Sequence, residues 1–369
     1  MTDAEALVAL NMLPKIGPVR VRRLVDYFGS AAAVLQAPGD SLRRVEGIGP
    51  DTAALLRRWE EVVDLEAELT RAREMGVSVV TQQDELYPAP LREIHDPPLV
   101  LYVRGQLLAR DRMAVGVVGS RRATSYGLTA ARKLSFQLAH AGVTVLSGLA
   151  RGIDTAAHEG AVAAKGRTIA VIGSGLGRLY PPENEALAAR IADGHGAVVS
   201  EFPILTEPDK QTFPQRNRIV SGWSSGILVV EAPAWSGALI TANNAADQGR
   251  SVYAVPGPID KASSLGCNKL IQNGARLVLD AGDILDDLNL LLPREAGEAP
   301  GVDAAAVARP ELTEGERIVW ETLHTDELQL DEIIGKSGLP AAEVASGLMR
   351  LEIRRLVKQL PGRRYVRSS

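Results

Sequence analysis

From Ala114 onward the sequence alternates short apolar runs with helical stretches, and this alternation constrains the fold more than any other feature. The apolar runs are Val115–Gly119, Val143–Ser147, Thr168–Gly173, Ala197–Glu201, Gly226–Ala232, Ser251–Pro256 and Arg276–Asp280. Short buried strands that alternate with helices are typical of a parallel sheet covered on both faces. We therefore predict an α/β fold with an extended Rossmann-like, doubly wound, mostly parallel sheet. In such sheets ligands bind outside the carboxyl ends of the strands.

The 369-residue chain is too long for one compact core, so we expect two or three domains. Residues 1–75 contain two similar turns, Leu13–Pro18 and Val45–Pro50, each followed by a helical stretch. This pattern predicts a helix-hairpin-helix or SAM-like helical domain, whose backbone N–H groups can hold a phosphate. Lys15 in the first turn favours DNA binding and Glu46 in the second argues against it, so a packing role stays open.

Residues 76–292 form the predicted sheet domain, which begins with two further strand-like runs, Val77–Thr81 and Leu99–Arg104. Residues 293–310 are rich in Ala, Gly, Pro and charge, which predicts an interdomain linker. Residues 311–369 contain two helical runs and a terminal strand-like segment. Helix, turn, helix and strand in this order predict a winged-helix domain.

The predicted strand-end loops carry the candidate functional residues. Glycine lets a ligand approach the backbone, arginine and lysine contact phosphates, and phenylalanine offers a face for a base to stack on. The densest group is FPQRNR at 213–218, with a lysine just upstream. The candidate DNA-binding residues are Gly119, Ser120, Arg121, Gly148, Arg151, Gly152, Lys210, Phe213, Arg216, Asn217, Arg218 and Gly237. On one edge of a sheet they predict a cationic slot longer than one nucleotide requires, which favours a single-stranded nucleic acid.

Charge and motif content disfavour other functions. With a formal net charge of −4, any nucleic-acid site must be a local patch. The single cysteine, Cys267, excludes a disulfide framework and a thiolate zinc cluster. Asp154 and His158 lack a third metal ligand and are interpreted as a buried structural pair. The sequence lacks G-x-x-x-x-G-K-[ST] and G-x-S-x-G, so we predict no metal, no cofactor and no catalytic residue.

The sequence also lacks the signals of a membrane or secreted protein. No apolar run reaches about 18 residues, and the first ten residues carry Asp3 and Glu5. We therefore expect a cytoplasmic protein without a membrane partner.

A series of motifs in the sheet region gives the most specific signal. In chain order they are GSR, SGLARGIDTAAH, YPPEN, FPQRNRIVSG, VVEAPAWSGALITA, AVPG and CNKLIQNGA. Together they resemble the DprA/Smf family of DNA-processing proteins over about residues 80–290. The resemblance implies a non-enzymatic Rossmann domain that binds and protects incoming single-stranded DNA, forms a homodimer and helps to load the RecA recombinase during natural transformation. A single-stranded DNA-binding protein is a further candidate partner.

The resemblance also implies roles for individual residues. Arg121 and Lys210 would be the main phosphate contacts, and Phe213 would stack on a base. The homodimer is expected through the last part of the sheet domain, where Leu270 and Ile271 lie in a short predicted helix before a late strand. Late strands tend to lie at a sheet edge, where an apolar face can meet its twin.

Two other functions stay open. The first is a nucleotide hydrolase, because some proteins with related Rossmann folds hydrolyse nucleotides. Glu201 and Glu231 lie at predicted strand ends, where a catalytic carboxylate could lie. The same carboxylates could instead cap neighbouring helices. A sequence-specific transcription factor is the third hypothesis. Its candidate recognition helix, Ala341 to Met349, lacks the Arg, Lys, Asn and Gln that dominate base readout.

Overall fold

The computed structural model describes residues 1–291, 313–323, 328–353, 357–360 and 364–367. Contacts divide the chain into two compact units, Met1–Pro293 and Arg294–Ser369. The predicted linker at 293–310 lies outside the described residues. In the described part of the chain, no helix is long and apolar enough to cross a bilayer.

The first unit begins with a helical region. Its helices are α1 Asp3–Met12, α2 Pro18–Phe28, α3 Ala31–Gln36, α4 Gly39–Leu42, α5 Pro50–Arg57, α6 Trp59–Val62 and α7 Leu65–Glu74. Both α2 and α5 begin at a proline, which suits the first helical position because its missing N–H would have no partner there. The predicted helical repeat is confirmed. The sequence predicts one charged helix from about Glu60 to Met75. The structure instead divides this stretch between α6 and α7, because Asp64 caps α7 by accepting a hydrogen bond from Ala67 N at 3.0 Å.

The remainder of the first unit is the sheet with its covering helices. The elements are β1 Val77–Thr81, α8 Ala89–Arg92, β2 Val100–Gly105, β3 Ala114–Val118, α9 Ser125–His140, β4 Thr144–Ser147, α10 Ile153–Ala163, β5 Thr168–Val171, α11 Glu185–Arg190, β6 Gly196–Ser200, α12 Thr212–Trp223, β7 Gly226–Val229, α13 Gly237–Asp247, β8 Ser251–Ala254, α14 Leu265–Gln272, β9 Arg276–Leu277 and α15 Ala281–Leu291. Each strand predicted from the sequence is present, although several are shorter than predicted.

The sheet has the order β1-β2-β6-β5-β4-β3-β7-β8-β9. The strands from β6 to β9 in this order pair in parallel, and β1 and β2 add an antiparallel hairpin at one edge. The predicted mostly parallel, doubly wound sheet is confirmed. After β3 the chain builds outward through β4, β5 and β6, and then returns to place β7 on the other side of β3. The strand order therefore reverses between β3 and β7, and this is where open α/β sheets bind ligands.

Helices cover both faces of the parallel sheet. On one face, α8, α12, α13 and α14 contribute to a core that includes Leu91, Ile219, Ala242 and Cys267. On the other face, α9, α10 and α15 contribute to a core that includes Leu134, Ala157 and Ile284. The N-terminal helices pack at the β6 side. There the buried Glu68 carboxylate accepts a hydrogen bond from Ile204 N at 2.7 Å.

The second unit has the winged-helix arrangement predicted from the sequence. Its described elements are α16 Glu314–Thr322, β10 Leu328–Gln329, α17 Leu330–Ser337, α18 Ala341–Ile353, β11 Val357–Leu360 and β12 Arg364–Arg367. The strands pair in the order β10-β12-β11. Val319, Ile333 and Leu348 lie in its small core, which joins the helices to the sheet.

A buried ion pair at the amino end of the sheet gives a test of the fold. Arg167 Nε lies 2.6 Å from Asp111 Oδ1, and both side chains are more than nine-tenths buried. Asp111→Ala should lower the free energy of unfolding by about 3–5 kcal/mol, because it leaves a buried guanidinium without its carboxylate. Urea unfolding followed by circular dichroism measures the loss.

Asp40→Ala is the matched control, because Asp40 pairs with Arg43 on the surface and is 86% exposed. We expect this control to lose less than about 1 kcal/mol. Equal, small losses in the two variants would contradict a structural role for the Asp111 pair.

Candidate nucleic-acid interface

The loop after β3 lies at the point where the strand order reverses. Ser120 N donates to Glu231 O at 2.7 Å, which ties this loop to the end of β7. A Cβ on Gly119 would lie 2.5 Å from Ile153 Cγ1 and 2.8 Å from Glu231 O, so only glycine fits between α10 and β7. Close backbone packing thus fixes the position from which Arg121 extends.

Arg121 lies over the ring of Phe213. The guanidinium carbon is 5.0 Å from the ring centroid, within the range of a cation–π contact. Arg121 is exposed and Phe213 is half-buried in the first turn of α12. The ring packs against Gly173 at the end of β5, where a Cβ would lie 2.8 Å from Phe213 Cδ1. A cation and an aromatic ring, which are the groups suited to a phosphate and a base, are thus held together at the strand ends.

A second arginine–aromatic pair, Arg151 with Tyr180, lies next to the first. Tyr180 has its ring centroid 6.0 Å from that of Phe213, with the two rings inclined by 50°. Arg151 has its guanidinium carbon 5.9 Å from the Tyr180 centroid. Two adjacent rings are therefore flanked by two cations in a row formed by Arg121, Phe213, Tyr180 and Arg151, which we call the cation–aromatic row. Tyr180 was not among the residues predicted from the sequence. The YPPEN motif contains it, but its loop has no regular period that would reveal where the ring points.

Arg151 is not a free cation, because it forms an exposed ion pair with Glu183. The hydrogen bond from Arg151 raises the pKa of its own guanidinium and lowers the pKa of the Glu183 carboxyl. Lys210, by contrast, is exposed in the loop before α12 and has no ion pair within the described residues. Arg121 likewise forms no ion pair there, although the buried Asp154 carboxylate interacts with it electrostatically. Arg121 and Lys210 are therefore exposed cations near Phe213 that no carboxylate contacts directly.

Arg216 and Arg218 were predicted to contact DNA, and the structure gives both of them partners within the protein. The Arg216 side chain is 4% exposed, and its Nη1 donates to the carbonyl oxygens of Gly148 and Val171 at the ends of β4 and β5. Burial lowers the pKa of Arg216 to about 10. Arg218 donates hydrogen bonds from Nη1 and Nη2 to the two carboxylate oxygens of Glu201, at 2.9 and 2.7 Å. Arg216 is therefore a buried structural cation, and Arg218 is largely compensated by its carboxylate partner.

The neighbours of these arginines also have structural roles. A Cβ on Gly148 would overlap the Arg216 guanidinium, so Gly148 makes room for that side chain. Asn217 is half-buried, and its Oδ1 accepts a hydrogen bond from Arg216 Nε at 3.2 Å. Asp96 is a further partner of Arg218, at 2.8 Å from its Nε.

The two glycines predicted at helix starts differ in their surroundings. Gly152 has φ +78°, and a Cβ there would overlap Ser120 O, so it serves close packing. Ile153 N, the first N–H of α10, donates to the same Ser120 carbonyl at 3.2 Å and is not free for an anion. Gly237 begins α13, is exposed and has open space around it. A backbone contact from Gly237 to a ligand stays a prediction.

The acidic residues at the strand ends support the loops. Asp154 is buried and accepts hydrogen bonds from Gly148 N at 3.1 Å and Ala150 N at 3.4 Å. Burial raises its pKa. Glu231 accepts from both the backbone N and the side-chain Oγ1 of Thr124, at 3.1 and 2.5 Å, and so stabilises the start of α9. Glu231 thus supports a helix start, the role that the sequence left open, whereas Glu201 forms an ion pair with Arg218.

Asp154 and His158 are both buried, but the predicted structural pair is wrong, because no hydrogen bond joins the two side chains. The Nδ1 of His158 lies 2.6 Å from Thr168 Oγ1. Burial lowers the pKa of His158 to about 3. Among the described residues, no three His, Cys, Asp or Glu side chains are grouped so that they could hold a metal ion.

Each of the three predicted domains matches a known protein family. The family model described as DNA recombination-mediator protein A matches residues 78–289, a DprA winged helix domain matches 303–363, and a SAM-like helix-hairpin-helix tandem matches 7–58. Protein Smf of Synechocystis is 34% identical over 389 aligned positions, which cover 98% of each chain.

Two solved structures are also similar. The X-ray structure of DNA processing protein A from Streptococcus pneumoniae has a TM-score of 0.67 at 34% identity, and the match covers 78% of this chain and 98% of that one. A structure of DNA processing protein A from Helicobacter pylori has a TM-score of 0.51 at 26% identity, and covers 58% of this chain and 96% of that one. That structure is described as giving insight into a single-stranded DNA binding mode.

Measurements of unfolding free energy can distinguish the buried cation Arg216 from the exposed cation Lys210. Arg216→Met should lower the free energy of unfolding by about 3–5 kcal/mol, because Asp154 and two strand-end carbonyl groups lose their buried cationic partner. Lys210→Met should change it by less than about 1 kcal/mol, since an exposed cation loses little on removal. Thermal and urea unfolding measure both. If Arg216→Met were as stable as Lys210→Met, Arg216 would have to lie at the surface.

Proposed function

Since this chain belongs to the DprA/Smf family of DNA recombination-mediator proteins, we propose that it binds single-stranded DNA at the carboxyl edge of its sheet. We propose further that it protects incoming DNA and passes it to the RecA recombinase during natural transformation. The observation that carries the proposal is the exposed Arg121 guanidinium held over the half-buried Phe213 ring at the reversal point of the strand order.

Each part of the row supplies a contact that a single strand offers. Arg121 and Lys210 contact phosphates, and the proposed base-stacking faces are Phe213 and Tyr180. Stacking tolerates any base, so little sequence preference is expected. A duplex hides its base faces, so single strands should bind more tightly than duplexes of the same length. The H. pylori relative described with single-stranded DNA supports this substrate class.

The contacts proposed for the strand suit a mediator. Exposed cations and half-exposed rings make many individually weak contacts, so a strand can be released segment by segment to a recombinase that binds it more tightly. RecA is the proposed recipient, and a single-stranded DNA-binding protein is a further proposed partner on the same strand.

The hydrolase alternative finds no support in the positions of the strand-end acids. A catalytic carboxylate must reach the reacting atom or its water. Both oxygens of Glu201 contact Arg218, and Glu231 is 3% exposed and bonded to Thr124. We therefore assign no catalytic residue and propose no cofactor or metal.

A homodimer is proposed through the β9 edge of the sheet. Leu270 and Ile271 of α14 are half-buried against the core and keep part of their surface exposed. Leu277 lies in β9 and is 41% exposed, and Leu279 just beyond it is 71% exposed. An edge strand with exposed apolar residues is suited to pairing with another copy. Two joined protomers would present two DNA sites to a longer strand.

The DNA site is tested by three substitutions. Arg121→Gln and Lys210→Gln should each weaken binding of fluorescent oligo-dT and lower the slope of log affinity against log salt by about 0.7, the value for one lost phosphate contact on a single strand. Phe213→Leu keeps an apolar side chain against Gly173 but removes the aromatic face, so it should cost about 1–3 kcal/mol of binding.

Lys165→Gln is the matched control, because Lys165 is exposed just before β5, at the amino edge of the sheet. It makes the same change in charge and should leave affinity and salt slope unchanged. If Arg121→Gln and Lys210→Gln behave like Lys165→Gln, the strand does not bind at this edge.

The dimer is tested by Leu279→Glu and Ile271→Glu in light scattering. Both should give monomers that bind long oligonucleotides less tightly, with a smaller effect on short ones. Leu279→Glu is the cleaner variant, because a side chain that is 71% exposed contributes little to packing. Circular dichroism establishes that each variant is folded. Folded dimers in both variants would place the interface elsewhere.

A further inference from the structure

A second cationic feature lies beside the cation–aromatic row. A cleft of about 350 Å³ opens between the first turns of α9 and α10. Arginines provide its charge, and they are Arg121, Arg122, Arg132 and Arg151. We call it the arginine cleft. Arg121 and Arg151 belong both to this cleft and to the row, so the two features are continuous.

The cleft carries more positive charge than its acidic neighbours compensate. Arg132 pairs with Glu159 at 2.8 Å, and Arg151 pairs with Glu183. Arg122 is exposed and has no ion pair within the described residues, and Arg121 has none either. Both existing pairs are at least 40% exposed on each side, so they are weak and a phosphate can compete with the carboxylates.

The cleft and Phe213 belong to different faces of the sheet. Phe213 is carried by α12, which packs on one face, whereas α9 and α10 pack on the other. Arg121 extends from the end of β3, between the two layers. A strand that contacts Phe213, Arg121 and then the cleft would cross the edge of the sheet, whereas the sequence predicted a slot that follows the edge.

We propose that the arginine cleft is a second phosphate subsite, which holds phosphodiester groups of the same single strand beyond the nucleotides stacked on the rings. This inference rests on the proposed function. Arg122 and Arg132 are the cations that define the subsite, because neither belongs to the cation–aromatic row. Glu183 occupies Arg151 in the free protein and is displaced by an incoming phosphate.

The test compares oligo-dT lengths within the range known for single-strand sites, from about 4 to about 16 nucleotides. Arg122→Gln and Arg132→Gln should weaken binding of the long oligonucleotides about 3–10-fold, and lower the salt slope by about 0.7 each. On the shortest oligonucleotides the same variants should differ less than about 2-fold from the parent protein, because those contact only the row. Arg121→Gln should weaken binding at every length.

Glu183→Gln gives an effect of opposite sign. It removes the competing charge from Arg151, so long oligonucleotides should bind about 2–5-fold more tightly. Two controls make the same charge changes outside the cleft. Lys133→Gln alters the neighbour of Arg132 on α9, and Glu185→Gln alters an exposed acid two residues after Glu183. Neither control should change affinity by more than about 2-fold at any length.

The outcomes separate this inference from the function on which it rests. If Arg122→Gln and Arg132→Gln match Lys133→Gln while Arg121→Gln still weakens binding, the cleft is not a subsite and the row is retained. If Arg121→Gln also has no effect, the proposed interface itself is wrong. Inorganic phosphate added as a competitor should weaken the binding of long oligonucleotides to the parent protein more than their binding to Arg122→Gln. If phosphate competes equally with both proteins, that result counts against a phosphate subsite.

Discussion

The buried Arg216 guanidinium is the interaction on which the candidate interface depends. It compensates the carbonyl groups at the ends of β4 and β5 and lies beside the buried Asp154 carboxylate, which itself holds the Gly148 loop. Phe213 lies three residues earlier on α12, one turn away on the same helix face. Fixing Arg216 therefore fixes the ring over Gly173, and the ring fixes where Arg121 stacks. A buried charge thus sets the geometry of the exposed charges.

The fold could be predicted from the sequence because its signals are local and repeated. Short apolar strands alternate with helices, and the two Gly-Pro turns mark helix starts at Pro18 and Pro50. The break at Asp64 was missed, since the charged stretch around it has good helix formers on both sides. Aspartate is also a strong helix cap, and Asp64 begins α7 in this role.

The site was predicted only in part, because sequence shows charge but not burial. In α12 the positions of Arg216, Ile219, Val220 and Trp223 recur at helical spacing, and all of them are buried. This pattern places Arg216 on the apolar face, and it was available in the sequence. Nothing local could pair Arg218 with Glu201, because strand and helix meet only in the folded sheet. The Tyr180 ring and the arginine cleft also depend on loops that come together in space.

The inclination between the two rings has a consequence for the state of a bound strand. Bases in a duplex lie nearly parallel, but the planes of Phe213 and Tyr180 differ by 50°. Neighbouring bases laid on these two rings would be splayed apart, and could not pair with a complementary strand until they left the protein. Discrimination against duplex would then need no contact with a base edge. It would come from a tilt between two side chains that already exists in the free protein.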